Sequence, residues 1–280
     1  MRRAAVVLGW IVLWASGAAG CGAPQRRTES SQKRVDLGRD LLARQEYGAA
    51  ETELKKALDL DPKNEEALNW LGIVYLVRAE RTVALVEDDD CRSDSLGEQI
   101  RREADDWMRQ AKTYFKEATG LAPDFGEAWQ NRAVVSMYFK DWNEAIEYEQ
   151  NALARLGRLQ NESVARANLG WCYYHKGDLV RAERELLQAM QGEPTFCLGA
   201  YRLAQVLFDQ SEYDDALARL ELFAADAKIC PLQEVQYLMA QLYLRKHQSG
   251  EARGALERCI SMAPKSCVAQ RCQATPKGVP

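Results

Sequence analysis

Cysteines and histidines are the residues of this chain whose types could do chemistry, and their spacing decides which chemistry. The 280 residues include eight Cys and two His, and no two cysteines have the C-x-x-C spacing. His175 and His247 lie far from any paired thiols, so the pattern does not predict a zinc site. No Ser or Cys nucleophile with an orienting carboxylate is visible near His175. We therefore predict no catalytic residue, no metal, no cofactor and no enzyme activity.

The N-terminus has the layout of a secretory signal peptide. Arg2 and Arg3 precede an apolar run over 4–14, and small residues follow up to Gly20. The run is too short to span a membrane as a helix, so residues 1–20 are predicted to be a signal peptide. Export to an oxidising compartment makes the cysteines candidates for disulfides rather than a set of reduced thiols.

Cys21 follows Ala18-Ala19-Gly20 in a pattern that resembles the lipobox of bacterial lipoproteins. The resemblance implies that Cys21 is lipidated and begins the mature chain, followed by a linker over 21–30. Several acyl chains hold a protein at a membrane far longer than one chain does. Gly22 stands where an Asp would resemble an inner-membrane retention signal, so we expect an outer-membrane protein facing the periplasm. The alternative is an ordinary signal peptide, with Cys21 a plain thiol.

Charge excludes one class of partner. Loss of Arg2 and Arg3 with the signal peptide leaves 35 basic residues against 41 acidic ones, a net charge of −6. Such a chain does not have the excess of cations that binds phosphate backbones, so no nucleic-acid partner is predicted. No later run approaches 18 apolar residues, and nothing else is predicted to span a bilayer. We expect a monomer.

Internal repetition predicts the fold. A small residue is followed by a second one twelve positions later and a large one four beyond that, and the skeleton recurs with a period of about 34 residues. Small side chains are needed where two antiparallel helices cross closely. The skeleton resembles the tetratricopeptide repeat, and six copies over 31–266 imply an all-α, right-handed solenoid. The small residues are Gly38, Gly72, Ala133, Gly170, Ala204 and Ala240 in first helices, and Ala50, Ala111, Ala145, Ala182, Ala216 and Ala252 in second helices.

Two further patterns agree with this interpretation. Proline cannot continue a helical hydrogen-bond ladder, so the prolines that follow four of the copies are expected to end second helices. Large residues stand four positions after the second small residue of each copy, and Glu149 is the one departure from this pattern. The prolines are Pro62, Pro123, Pro194 and Pro264, and the large residues are Leu54, Phe115, Leu186, Leu220 and Leu256.

The second copy, 65–125, is longer than the standard repeat by 27 residues. Helix-favouring residues run on to Val86 and resume near Leu96, which predicts a lengthened helical hairpin. Its tip, 87–95, is expected to project from the stack. The tip contains four consecutive acids from Glu87, and such runs are usually solvated, so no metal site is predicted there.

Tetratricopeptide solenoids hold peptides or helices on the concave face of their first helices. That face is predicted to be apolar and aromatic here, which suits an amphipathic segment of a partner, with Trp171 and Tyr138 as the main anchors. His175 is expected to be an exposed residue of the same face. The alternative is that these side chains only pack between helices. The predicted groove residues are Ile73, Leu76, Val134, Met137, Tyr138, Trp171, Tyr174, Tyr201, Phe208 and Tyr237.

Cys197 and Cys230 stand at the start of successive first helices and are predicted to form a disulfide. Cys259, Cys267 and Cys272 crowd the C-terminal end, where a bridge could replace a separate capping helix, and 267–280 is predicted to be a tail. Cys172 lies inside a first helix and is expected to be core packing.

The whole chain, a lipobox followed by six repeats and almost nothing else, resembles the type IV pilus pilotin lipoproteins of the PilF/PilW/Tgl group. The stretch "EDDDC" and the extra C-terminal cysteines look most like the myxobacterial member, Tgl. The resemblance implies a protein that binds secretin (PilQ-like) subunits and promotes their assembly in the outer membrane. The alternatives are an adaptor in another envelope complex and a regulator of a peptidoglycan enzyme.

Overall fold

The structure is a computed structural model that describes residues 22–224 and 230–276. The predicted signal peptide, Cys21 and the last four residues of the predicted tail lie outside the described residues. The described part is a row of thirteen α-helices and contains no strand.

Twelve of these helices form six antiparallel pairs, so the predicted all-α repeat solenoid is confirmed. The first helices are α1 (Gly22–Ala43), α3 (Glu65–Glu87), α5 (Gly126–Tyr138), α7 (Glu162–His175), α9 (Cys197–Asp209) and α11 (Gln233–Arg245). The second helices are α2 (Tyr47–Leu60), α4 (Ser95–Leu121), α6 (Trp142–Leu153), α8 (Leu179–Gly192), α10 (Tyr213–Ala224) and α12 (Ser249–Met262). The last helix, α13 (Cys267–Ala274), packs on α11 and α12.

Close helix crossing explains the small residues. All twelve predicted small positions are buried. A Cβ added to Gly38 would lie 2.7 Å from Leu54 Cγ, and one added to Gly170 would lie 2.8 Å from Leu186 Cγ, so no larger side chain fits without displacement. The four predicted prolines each stand two residues beyond the end of a second helix, as the missing amide requires.

In five of the repeats, a residue in the left-handed backbone conformation makes the tight turn between the first and second helices. In the first repeat the amides of Gln45 and Glu46 donate to the carbonyls of Leu42 and Leu41, both at 2.9 Å, which ends α1 and reverses the chain. The second repeat has a long hairpin at the corresponding place. The five positive-φ residues are Gln45, Lys140, Gly177, Ser211 and His247.

Both ends of the solenoid differ from the sequence prediction. The predicted linker over 21–30 is helical from Gly22 onward, because α1 continues along α2 and buried Ser31 donates to the Ala57 carbonyl at 2.8 Å. The predicted tail over 267–280 begins with α13. Ser266 caps that helix by accepting from the Ala269 amide at 2.9 Å. The C-terminal end therefore has both a disulfide and a capping helix, whereas a disulfide was expected to replace the helix.

The tip of the long α3–α4 hairpin does not project freely from the stack, contrary to the prediction. Cys91 forms a disulfide with Cys267, 176 residues away, and its amide donates to the Lys265 carbonyl at 3.0 Å. We call residues 88–94 the strap. The strap joins the second repeat to the C-terminal cap, so a covalent link connects parts of the stack that are far apart in the chain.

The other cysteines lie close to their predicted places. Cys197 and Cys230, the pair predicted from the sequence, are joined, and Cys259 is joined to Cys272 across α12 and α13. Cys172 is a free cysteine in the described part, and it is buried as predicted. Burial raises the pKa of its thiol to about 12, which leaves it unreactive at neutral pH.

Glu149 is a polar residue in an apolar seam. It is completely buried, and within the described part neither carboxylate oxygen has a hydrogen-bond partner. Burial raises its pKa well above the ordinary value of 4.5, although Asn168 and Arg202 nearby act in the opposite direction. Arg202 is buried too, and it donates to Asn168 Oδ1 at 2.8 Å. Burial lowers the pKa of Arg202 to about 10, so it stays charged, whereas burial shifts the pKa of Glu149 in the direction that favours the protonated acid.

Glu149→Gln is expected to stabilise the fold by about 1–3 kcal/mol at pH 8, because at that pH the buried carboxyl must either hold its proton or ionise without a partner, and a neutral amide does neither. The native state holds the Glu149 proton to a higher pH than the unfolded chain does, so this residue lowers stability as pH rises above about 4.5. Urea unfolding of both proteins from pH 5 to pH 8 measures the difference. The two curves should approach each other at pH 5, and a constant difference across the range would contradict the assignment.

Candidate partner-binding site

Nine of the ten predicted groove residues are half-buried, so they pack against neighbouring helices and still present surface to solvent. Ile73, Val134 and Tyr138 pack on the apolar cluster of the N-terminal repeats. Tyr174, Tyr201, Phe208 and Tyr237 pack on the corresponding cluster of the C-terminal repeats.

Leu76 is the exception, and its assignment to the groove is wrong. Its side chain is buried, in the same apolar cluster as Ala79, Ala104 and Met108 of the long hairpin. The second repeat extends past the usual helix length, and this extra length adds core at the position of Leu76.

Five rings meet on the α7 face, and we call them the aromatic cluster. The Trp171 ring is stacked on Tyr174 with centroids 4.8 Å apart, and it is tilted against Tyr201 at 6.5 Å. His175 lies edge-on to Trp171 at 4.6 Å. Tyr174 is also edge-on to His175 at 5.3 Å, and Trp142 of α6 is stacked on His175 at 4.1 Å. The helical repeat thus brings rings from three consecutive repeats into one half-buried surface.

Hydrogen bonds to carboxylates hold two tyrosines in place. Tyr174 donates to Asp209 Oδ2 at 2.7 Å, and Tyr138 donates to Asp105 Oδ1 at 2.8 Å. Burial and these bonds raise the pKa of both phenols, so both stay neutral. A ring held in one orientation loses little side-chain entropy when a partner docks on it.

Positive charge lies beside the cluster. The Arg202 guanidinium is 5.5 Å from the Trp171 ring centroid, within the range of a cation–π contact. Burial, together with Arg202 and Lys140, lowers the pKa of His175, so its ring is neutral at pH 7. The surface therefore offers stacking and apolar contact. That combination fits recognition of another polypeptide.

The sequence prediction missed Trp142 and Arg202. Trp142 opens a second helix, whereas only first helices were expected to form the groove. Arg202 comes immediately after the groove residue Tyr201. Its buried guanidinium donates a hydrogen bond to Asn168 and lies near the Trp171 ring, and these contacts compensate for the burial of its charge. A basic residue inside an otherwise apolar helix was the available signal.

Other kinds of site are not found among the described residues. No three His, Cys, Asp or Glu side chains in 22–224 and 230–276 come together in a way that could hold a metal ion. In the acidic tip, Asp90 and Asp94 both pair with Arg92, at 3.6 and 2.6 Å. None of the described helices is long and apolar enough to cross a membrane.

Comparison with known proteins agrees with this architecture. Residues 38–76 match the family described as TPR repeat, and residues 233–266 match the family described as tetratricopeptide repeat. The chain is similar to the type IV pilus assembly protein PilF of Pseudomonas aeruginosa, with 28% identity over 193 residues, which covers 65% of this chain and 71% of that protein.

Two solved structures share the arrangement over nearly their full length. The solved structure of Pseudomonas aeruginosa PilF superposes with a TM-score of 0.67 at 18% identity, covering 89% of this chain and 99% of the solved chain. PilW, described as a widely conserved type IV pilus biogenesis factor, superposes with a TM-score of 0.65 at 20% identity, covering 87% and 98%. The chain therefore contains tetratricopeptide repeats, is homologous to PilF and has the fold of PilF and PilW.

Proposed function

We propose that this chain acts in type IV pilus biogenesis as an outer-membrane lipoprotein that binds secretin (PilQ-like) subunits and promotes their assembly. Homology to a type IV pilus assembly protein supports the pilus role. The scaffold supports binding rather than catalysis, because tetratricopeptide proteins are typically not enzymes. The half-buried aromatic cluster is the observation that carries the binding role.

In this proposal the aromatic cluster covers an amphipathic segment of an unassembled secretin subunit. Such a segment has an apolar face that must reach lipid in the assembled ring and is exposed to water before assembly. Rings held by Asp209 and by the stack on Trp142 supply a preformed apolar surface for it. Release follows when the subunits close their ring and bury the segment against lipid or each other, so binding is transient.

Lipidation of Cys21 would place the solenoid close to the membrane. Because α1 begins at Gly22, a lipidated Cys21 is followed directly by helix rather than by a flexible linker. The first repeat would then stand within a few residues of the lipid surface, which limits the distance over which the protein searches for subunits. The anchor and the outer-membrane location form part of the proposal.

Trp171→Ala is expected to weaken binding of unassembled secretin subunits at least about 30-fold, since a central aromatic anchor contributes about 2 kcal/mol or more. Purified subunits titrated against the immobilised protein give the dissociation constant. Val180→Ala, on a second helix with 76% of its surface exposed, is the matched control and should bind as the unchanged protein does. Equal constants for the two variants would contradict the proposed docking surface.

Deletion of the gene tests the function itself. The proposal predicts that secretin in the outer membrane changes from heat-resistant multimers to monomers. Unchanged multimers together with altered wall chemistry would point instead to a regulator of a peptidoglycan enzyme. Unchanged multimers with a different envelope complex lost would point to an adaptor in that complex.

A further inference from the structure

A cavity formed by the first three repeats contains charged groups that the aromatic cluster does not use. Its volume is about 260 Å³, and α1, α3 and α5 contribute to its lining together with residues 157–160. Asn69 in this lining lies one helical turn before the groove residue Ile73, so the cavity adjoins the predicted groove. The side chains that matter below are Arg39, Glu66, Asn69, Trp70 and Glu127.

Asn69, which lines this cavity, has an unused hydrogen-bond donor on its side-chain amide. Its side chain is 1% exposed, and its Oδ1 accepts from Asn131 Nδ2 at 3.0 Å. Its Nδ2 has no partner within the described part of the chain. A buried amide donor without an acceptor is costly, so the site favours a ligand that brings an acceptor.

The cations of the cavity already have acidic neighbours. Arg39 lies over the Trp70 ring at 5.1 Å and is 3.7 Å from Asp36. Arg158 pairs with Glu65 at 3.2 Å and with Asp124 at 3.3 Å. Each cation therefore has its direct ion-pair partner outside the cavity lining.

The carboxylates are in the opposite situation. Among the described residues, neither Glu66 nor Glu127 has a cationic group within 4.0 Å. Glu66 accepts one hydrogen bond, from Gln32 Nε2 at 2.9 Å. Burial raises the pKa of Glu127, and Glu66 adds to this effect while Arg39 and a hydrogen bond from Gln160 oppose it. The two carboxylates therefore lie in one cavity without a direct ion-pair partner among the described residues.

We propose that this cavity binds one basic residue, Lys or Arg, of a partner polypeptide. The side-chain cation lies between Glu66 and Glu127, and the main-chain carbonyl of the same residue accepts from Asn69 Nδ2. Trp70 forms the wall along which the aliphatic stem packs. The inference rests on the proposed function only in that the concave face holds a polypeptide, and it does not require that the partner be a secretin.

The test uses blocked single residues, so it needs no partner protein. The purified full chain is labelled with 5-fluorotryptophan, and the Trp70 resonance is assigned with Trp70→Phe. Nα-acetyl-lysine N-methylamide is titrated in, and the norleucine and glutamate analogues serve as neutral and acidic probes. We expect the lysine probe to shift Trp70 with a dissociation constant at least tenfold lower than that of the norleucine probe, and to leave Trp171 unshifted.

Variants separate the two contacts. Glu66→Gln with Glu127→Gln should bring the lysine and norleucine constants together, whereas Asn69→Ala should weaken both probes by the same factor. Glu193→Gln, in a different cavity, is the control and should keep the tenfold preference. Thermal unfolding confirms that each variant is folded.

Four outcomes would overturn the inference: no Trp70 shift with lysine, equal constants in the unchanged protein, a preference for glutamate, or a preference that survives the double substitution. None of them bears on secretin assembly. Conversely, loss of the pilus role would leave the lysine preference in place, so the two proposals can fail separately.

Discussion

The double variant Cys91→Ser/Cys267→Ser is expected to lose about 3–5 kcal/mol of unfolding free energy relative to the oxidised protein. A cross-link over 176 residues removes roughly 5 kcal/mol of chain entropy from the unfolded state in the loop-closure account. The effect should exceed that of Cys259→Ser/Cys272→Ser, whose loop spans 13 residues and is worth roughly 3 kcal/mol. Urea unfolding under non-reducing conditions measures both.

The strap should also change how the solenoid unfolds. Repeats in a solenoid contact only their neighbours, so the two ends of an untied array can unfold separately. The strap connects the second repeat to the cap, on either side of the repeats that carry the aromatic cluster. We expect a single transition in the oxidised protein and a broader one in the double variant. An identical midpoint and slope for the two proteins would show that the strap does not couple the unfolding of the two ends of the solenoid.

Phe115→Ala is expected to cost about 3–5 kcal/mol, the usual loss for a fully buried ring. The ring fills the seam of the second repeat directly against Gly72, where an added Cβ would overlap it. Gly72→Ala should therefore destabilise as well, by about 1–3 kcal/mol through overpacking. Thermal and urea unfolding of the single variants test both values.

A compensating pair checks the mechanism. Gly72→Ala combined with Phe115→Leu should be more stable than the sum of the single losses predicts, because the smaller side chain makes room for the new methyl group. Gly48→Ala, where nothing lies within 4 Å of the added Cβ, is the control for helix propensity and should not destabilise. Strictly additive losses would show that the two residues do not share one contact.

The fold was predictable because its cause is local and repeats. A small residue is needed wherever two helices of one repeat cross, so Gly38, Gly72 and Gly170 mark the crossings. In the structure each of these glycines lies against the large residue expected from the skeleton. Prolines mark where second helices end. These signals lie within one repeat, and six copies of them reinforce each other.

The strap was not predictable in the same way. It depends on the curvature accumulated over four repeats, which brings Cys91 to Cys267, and no local pattern encodes that distance. A signal was nevertheless present. Cys91 stands in the enlarged repeat and, in the oxidising compartment that the sequence predicts, was expected to have a partner, and the C-terminal end had three cysteines, an odd number.

The site was predicted in part, for a related reason. Helical spacing placed Trp171, Tyr174 and Tyr201 on one face, and their rings do meet. Trp142 reaches the cluster from the preceding second helix, so its place follows from packing between repeats rather than from spacing within one. The cavity around Asn69 was missed because its groups are polar, whereas the groove was expected to be apolar.

Photocross-linking in living cells tests the central claim most directly. A photoreactive phenylalanine derivative replaces Tyr201 in the aromatic cluster or, as the control, Leu222 on a second helix with 77% of its surface exposed. Both variants must still support assembly of heat-resistant secretin multimers. The account predicts that Tyr201 is cross-linked to secretin subunits and Leu222 is not. Cross-links from Leu222 alone, or none from Tyr201 while multimers form normally, would contradict it.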